Sequence, residues 1–265
     1  MINEKILDKS PFQIIQNKES NLILLCDHAS SYMPTEYNNL GLSKKLLAEH
    51  IAFDIGAFEL TKIMTDILKS NAIFSKFSRL LVDPNRAIDD PTLIMKFADE
   101  FIIPGNKVLG EDDITERITN FYIPYHYQVG MLIQSKIQNN LVPILISIHS
   151  FTKRFRNTVR PWEISILSDK DNRISKPLIH LLENDNKYKI GDNEPYKGYL
   201  RGDTLYKHGT LLGLPHVLIE IRNDLINSRI KQNKIANYIS EKLQEVIYTI
   251  GPNLNTIKKF GTKSL

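Results

Sequence analysis

The sequence predicts an α/β protein in three layers, with helices on both sides of a mixed, mostly parallel central sheet. Three observations predict it. Short runs of Ile, Leu and Val alternate with longer stretches in which apolar residues recur at helical spacing. The short runs are apolar almost throughout, as strands covered on both faces are. Pro, Gly and Asn gather between the segments, in "DPNRAIDDPT", "IPGN" and "GDNEPYKGY", and mark loops.

Taken in order, the strands are expected at 21–27, 71–75, 78–83, 143–149, 163–168 and 216–222. The clearest helix spans about 44–69, where Leu60, Ile63, Met64, Ile67 and Leu68 form an apolar stripe. Further helices are expected near 115–139, 172–185, 203–212 and 229–249. No internal repeat or low-complexity linker divides the chain. Residues 1–265 read as a single domain, with a core at about 20–250 and a frayed basic tail over 251–265.

Composition narrows the classes. Hydrophobic residues make up 42% of the 265, enough for a packed core and too many for a disordered or fibrous chain. No apolar run approaches the roughly 20 residues that span a bilayer. The N-terminal "MINEKILDKSPF" has no signal-peptide core, so a cytoplasmic protein without a membrane partner is expected. The single Cys26 excludes an internal disulfide and a multi-cysteine zinc site. The net charge of +4 is spread along the chain. Its densest basic cluster, "TKRFRNTVR" at 152–160, reads as a solvated or anion-binding loop, and no nucleic-acid partner is expected.

Ligands in open α/β sheets bind outside the carboxyl ends of strands. Here those ends carry chemistry. "LILLCDHASSYMP" (22–34) runs a buried strand into Asp27 and His28, and "PILISIHSF" (143–151) places His149 likewise. One such histidine is ordinarily structural. Two at the ends of central strands suit a metal that takes about three protein ligands and keeps one position open. A third ligand would be His, Asp or Glu. In "HIAFDIG" (50–56), His50 and Asp54 are four apart and share a helix face, either facing solvent or serving a cation. Asp54 sits in apolar surroundings and needs a cation or a donor, as ligand or as partner to one. Asp27 is the other carboxylate candidate.

Two further segments carry paired charges. In "SRLLVDPNR" (78–86) a strand is expected to end at Asp83, followed by Asn85 and Arg86. That pair suits a carboxylate clamp, or else Asp83 and Arg86 simply tie a turn. In "IEIRNDL" (219–225), Glu220 and Arg222 lie on one strand face, as a cross-paired edge or as a dry carboxylate beside a cation. The second arrangement suits a general base. Arg160, in "NTVRPWEI", combines packing with anion contact. The loop "GDNEPYKGYLRGD" (191–203) offers a lid or pocket wall, and His126 and His216 read as structural. Nucleophile-elbow, phosphate-loop, dinucleotide and H-E-x-x-H motifs are absent. Ser147 and Ser150 flank His149 without the marks of an activated nucleophile.

In combination, "CDHAS…P", "HIAFDIGA", "SRLLVDPNR", "PGN", "PYH", "SIHSFT", "RPWEI", "GDNEPY" and "IEIRNDL" resemble the N-formylglutamate amidohydrolase family, over about residues 20–248. The resemblance implies a fold similar to zinc carboxypeptidases and one divalent ion, zinc, held by two histidines and a carboxylate. It places His28 and His149 at the metal, Asn85 and Arg86 on the substrate carboxylate, and Glu220 as the base. Better-known members read Pro-His-Ser-Gly where this chain has Asp27-His28-Ala29-Ser30, and the position three after His28 is Ser31, not a Glu. The third ligand is then expected to be Asp54. Arg160 or Arg222 is expected to hold a second carboxylate or an oxyanion. The function these readings imply is metal-assisted hydrolysis of a small N-acyl amino acid such as N-formylglutamate. The alternatives are a peptidase or deacylase of modified peptides on the same fold, and a metal-free carboxylate-binding protein.

Overall fold

The structure is a computed structural model and describes residues 10–264. The part of the N-terminal reading that falls on residues 1–9 lies outside them. Seven strands form one sheet: β1 Phe12–Ile15, β2 Leu22–Cys26, β3 Asn71–Ser75, β4 Ile144–Phe151, β5 Ile164–Leu167, β6 Ile190–Asp192 and β7 His216–Arg222, in the order β1-β3-β2-β4-β7-β5-β6. The central strands β3, β2, β4 and β7 run parallel. β1 is antiparallel to β3, and β5 is antiparallel to β7 with β6 parallel beside it. The sheet is therefore mixed.

Helices cover both faces. α1 (Ala57–Leu68), α4 (Ser175–Asp185) and α5 (Arg229–Leu254) pack on one face. On the other lie α2 (Glu111–Arg117) and α3 (Ile123–Gln138), joined through a wider π turn at Ile118–Tyr122. Strand alternation divides the core. Leu22, Leu24 and Cys26 join the α1/α4/α5 side, while Ile23 and Leu25 join the α3 side. Each fully buried Leu, Ile or Phe contributes roughly 1.5–3 kcal/mol relative to exposure. Among the described residues no helix is long and apolar enough to cross a membrane.

The expected helix at 44–69 is broken. Ser43 Oγ accepts the Leu46 amide and caps a single turn, Lys44–Leu47. The chain then turns through 48–56 and α1 begins after Gly56, at φ +80°. A Cβ at Gly56 would lie 2.4 Å from the Ile226 carbonyl oxygen, so this crossing of chains requires glycine. The expected strand at 78–83 is also not one. Leu80, Leu81 and Val82 are buried as turns, because the segment finds no strand neighbour and bonds locally instead, Leu81 N–H to Ser78 O and Ser78 Oγ to Ala52 O. The 203–212 helix is mostly one π turn, Tyr206–Thr210. Edge strands β1 and β6 are short and only partly buried, so their sequences lack the apolar run that marks the central strands. The basic tail is docked rather than frayed. Lys258 N–H donates to Gly213 O at 2.8 Å, and Lys263 N–H to Asp169 Oδ1 at 2.8 Å.

Candidate metal centre and active site

The face of the sheet toward α3 delivers the polar residues. β4 places Ser147 and His149 on that face, after Leu145; β7 places Leu218 and Glu220 there. Glu220 is the register partner of His149 on the neighbouring parallel strand. β2 stops at Cys26, which frees the next residues from strand alternation. Asp27 can thus accept from Tyr125 Oη of α3 at 2.7 Å while His28 turns toward β4. Asp54 arrives from the turn before α1, tied down by its amide, which donates to His28 O at 2.9 Å.

Asp54 Oδ2 lies 3.3 Å from His28 Nδ1 and 2.8 Å from His149 Nδ1. The two rings meet edge to face with centroids 4.9 Å apart. One ligand atom from each of His28, Asp54 and His149 falls within 4.8 Å of the others, and all three residues are buried. The far side of each imidazole faces another carboxylate: His28 Nε2 is 2.7 Å from Asp83 Oδ1, and His149 Nε2 is 3.3 Å from Asp27 Oδ2. Protons placed on the two Nε2 atoms satisfy those carboxylates and leave both Nδ1 lone pairs turned to Asp54. That is the carboxylate–histidine arrangement used to orient metal ligands. Three electron-rich atoms about one point fit a divalent cation such as zinc. Glu220 Oε2 and His50 Nδ1, both buried and without a hydrogen-bond partner, are further groups whose needs a ligand would meet.

The electrostatics agree. Burial alone would raise Asp54, but His28 and His149 outweigh it and hold its carboxyl well below the usual range. Asp83 is likewise held well below by Arg79 and His28, against its burial. Asp27 is lowered by His149 and His28 despite complete burial. Burial opposes charge on His149, yet its contacts with Asp27 and Asp54 push it well above the ordinary value. Glu220 moves the other way. Its desolvation, only partly offset by His149, raises it to about 7.

A cavity of about 450 Å³ opens over this cluster. His28, Asp54, His149 and Glu220 form part of its lining, as do Arg79, Asn85 and Arg86. Tyr196, Lys197, Tyr199 and Leu200 make the loop 191–203 one of its walls. Asn85 is oriented through its Oδ1, which accepts the Thr204 amide at 3.0 Å. Arg86 donates from Nε to Thr92 Oγ1 and from Nη1 to Asn85 O. Its carbonyl accepts from Tyr122 Oη at 2.7 Å and Lys207 Nζ at 3.0 Å, which hold this loop from behind.

The remaining expected site residues are placed differently. Arg222 does not line the cavity; it is held by Asp224 Oδ1 at 2.7 Å and Glu163 Oε1 at 3.3 Å. Arg160 is buried outside the lining, stacked over Phe155 and Tyr196, with Nη1 donating to Thr152. His50 does line the cavity but from the turn, not from a helix, with Nδ1 3.8 Å from Asp54 Oδ1. His126 and His216 bond the carbonyls of Pro84 and Leu214, in the structural roles expected of them. Ser147 and Ser150 donate to Asp27 and Ile55. Arg79 was not foreseen. Its Nη2 pairs with Asp83 Oδ2 at 2.8 Å and its Nη1 lies 3.7 Å from Asp54 Oδ1, a cation compensating the buried carboxylates. The signal was its position four before Asp83 in "SRLLVDPNR".

The comparisons with known proteins converge. The family model described as FGase, N-formylglutamate amidohydrolase, matches residues 20–227. The crystal structure of gene product Atu2144 from Agrobacterium tumefaciens superposes with a TM-score of 0.88 at 30% identity, covering 93% of this chain and 98% of that one. N-formylglutamate amidohydrolase from Ralstonia eutropha JMP134 gives a TM-score of 0.70 at 17% identity, covering 92% and 99%, a likeness of fold. No curated protein matches the chain. A family match across most of the sequence, over a buried His-Asp-His cluster at the carboxyl ends of the central strands, shows that this chain belongs to the N-formylglutamate amidohydrolase family.

Proposed function

We propose that the cavity over His28, Asp54 and His149 is where this chain, a metal-dependent amidohydrolase, hydrolyses the amide of a small N-acyl amino acid such as N-formylglutamate. The single observation that carries this reading is the convergence of the two Nδ1 atoms on Asp54 Oδ2, each ring backed by its own carboxylate. His28, Asp54 and His149 would hold a divalent ion, which we take to be zinc, and it would supply Lewis acidity toward a carbonyl and a water.

The chain's own residues do the rest. Glu220 takes the proton of the attacking water and returns it to the nitrogen of the leaving amine. Its raised pKa of about 7 suits both directions of transfer near neutral pH. Arg86, with Asn85, binds the substrate carboxylate and so fixes the acyl carbon near the metal cluster. Arg79 balances Asp54 and Asp83 without leaving its ion pairs.

A cavity of about 450 Å³, closed on one side by 191–203, suits one acyl amino acid better than an extended peptide. That favours the small-molecule reading over a peptidase. The mixed sheet with its site at strand ends supports kinship with the zinc-carboxypeptidase architecture, within one domain over 1–265. The cytoplasm is the compartment we assign, in keeping with the unpaired Cys26. The test is amine release from a panel of N-formyl and N-acyl amino acids. Release from at least one member, abolished by a chelator and restored by zinc, is expected. Chelator-insensitive release, or binding without release across the panel, would contradict the reading.

A further inference from the structure

We propose that Tyr196 and Lys197, with Arg160 behind the tyrosine, form a subsite for a side-chain carboxylate, so that the preferred substrate is an N-acyl dicarboxylic amino acid. This deepens the amidohydrolase reading and rests on it. The observation that carries it is a buried cation without a counter-charge.

Arg160 is 6% exposed, and among the described residues it forms no ion pair. Buried charges are ordinarily paired. Arg79, Arg173 and Arg222 follow that rule, with Asp83, Asp171 and Asp224. Arg117 is also buried without an ion pair, but three neutral acceptors wrap its guanidinium: Leu81 O, Asn106 Oδ1 and Gly105 O. Arg160 donates Nη1 to the carbonyl and hydroxyl of Thr152, at 3.3 and 3.2 Å, and otherwise meets aromatic side chains. Its guanidinium lies 4.9 Å from the Phe155 ring centroid and 5.0 Å from that of Tyr196. Such faces attract a cation but carry no net charge. An anion arriving on the Tyr196 side would supply the charge that the fold withholds.

That side opens on the cavity. Tyr196 and Lys197 are consecutive in the wall loop, and both line it. Burial and the nearby Glu220 raise the Tyr196 phenol, so it stays protonated and can donate. Lys197 Nζ is 3.2 Å from Glu194 Oε1, but the two side chains are 52% and 41% exposed. A pair so exposed contributes little, and its ammonium remains open to a ligand. The loop itself is held in place. Asn193 Oδ1 accepts from the Ser168 amide at 3.2 Å and the Gly198 amide at 2.8 Å, and Gly198 packs on Leu167 and Ser168 where no Cβ would fit. Asn85 and Arg86 line the same cavity. With one carboxylate on that pair, a second finds a phenol donor, an ammonium and the uncompensated guanidinium at the loop wall. Leu167, Leu200 and Leu218 offer apolar contact to the methylenes of such a side chain.

The experiment compares N-formyl-L-glutamate with N-formyl-L-glutamine, isosteres that differ in side-chain charge. Binding is measured by calorimetry to zinc-loaded Glu220→Gln protein, alone and with Arg160→Gln or Lys197→Met added. The ratio of kcat/KM is measured on the zinc-loaded native enzyme. The expected result is at least about tenfold tighter binding of the glutamate compound, equivalent to about 1.4 kcal/mol, with that preference cut at least about threefold by each added substitution. The same order is expected in kcat/KM. A merely structural role for either residue would weaken both compounds alike and leave the preference intact. Equal or tighter binding of the glutamine compound, or an undiminished preference in a folded variant, overturns the inference. Lys197→Met, at a half-exposed position, decides the matter should Arg160→Gln not fold. If the native enzyme hydrolyses neither compound while the binding preference and its loss hold, the subsite stands and it is the amidohydrolase reading that falls.

Discussion

Glu220 and His149 are register partners on adjacent parallel strands, and both line the cavity. The ladder therefore fixes the carboxylate beside the metal cluster without help from any loop. Glu220→Gln should keep zinc and substrate binding while kcat falls by roughly 10²–10⁴, the scale of general acid–base catalysis. Loss of zinc in that variant would instead make Glu220 a ligand.

The same residue makes a stability prediction for the metal-free protein. A carboxyl raised to about 7 in the fold, from an ordinary 4.5, binds its proton more tightly folded than unfolded. Its contribution to stability is therefore lost as pH rises from about 4.5 through 7, by up to an order of 3 kcal/mol. In chelated protein, Glu220→Gln should raise Tm at pH 8 and leave it nearly unchanged at pH 4. A Tm that is lower at pH 8 in the variant would show that Glu220 is not held in a dry site.

Asp83 accepts from His28 on one oxygen and from Arg79 on the other. Asp83→Asn should weaken zinc binding about 10–100-fold, as loss of a carboxylate behind a metal-binding histidine does. Competition with a chromophoric chelator reads this directly. An unchanged zinc affinity would mean that His28 does not need that partner.

Lys207 is mostly buried and donates to the carbonyl of Arg86 and to the Tyr122 hydroxyl, which itself holds the same carbonyl. Desolvation lowers its pKa to about 8, against the pull of Asp27 and Asp203. If Asn85 and Arg86 bind the substrate carboxylate as proposed, Lys207→Met should loosen their loop and raise KM about five- to twentyfold, one to two hydrogen bonds' worth, with kcat little changed. A fall in kcat at constant KM would place Lys207 outside substrate positioning.

Much of the fold was legible because β2, β3, β4, β5 and β7 are near-continuous apolar runs, the pattern that burial on two faces imposes. The expected segment at 78–83 shows the limit of that pattern. Leu80, Leu81 and Val82 are as apolar and as buried as a strand, but strand pairing needs a neighbour that composition does not reveal. His28, Asp54 and His149 could be selected as polar residues in apolar surroundings, and the structure brings them together. Arg79 and the role of Asp83 behind His28 were hidden, since their meaning depends on which turns fold onto β2. Arg160 and Arg222 look equally available in sequence. Only packing shows one stacked against aromatic rings and the other held by Asp224 and Glu163.

The central claim is that His28, Asp54 and His149 share one cation, and metal stoichiometry tests it most directly. Protein loaded with zinc and dialysed should carry one ion per chain by elemental analysis. His149→Ala, with its fold checked by circular dichroism, should carry almost none. A folded His149→Ala protein that retains a full equivalent of zinc would contradict the account.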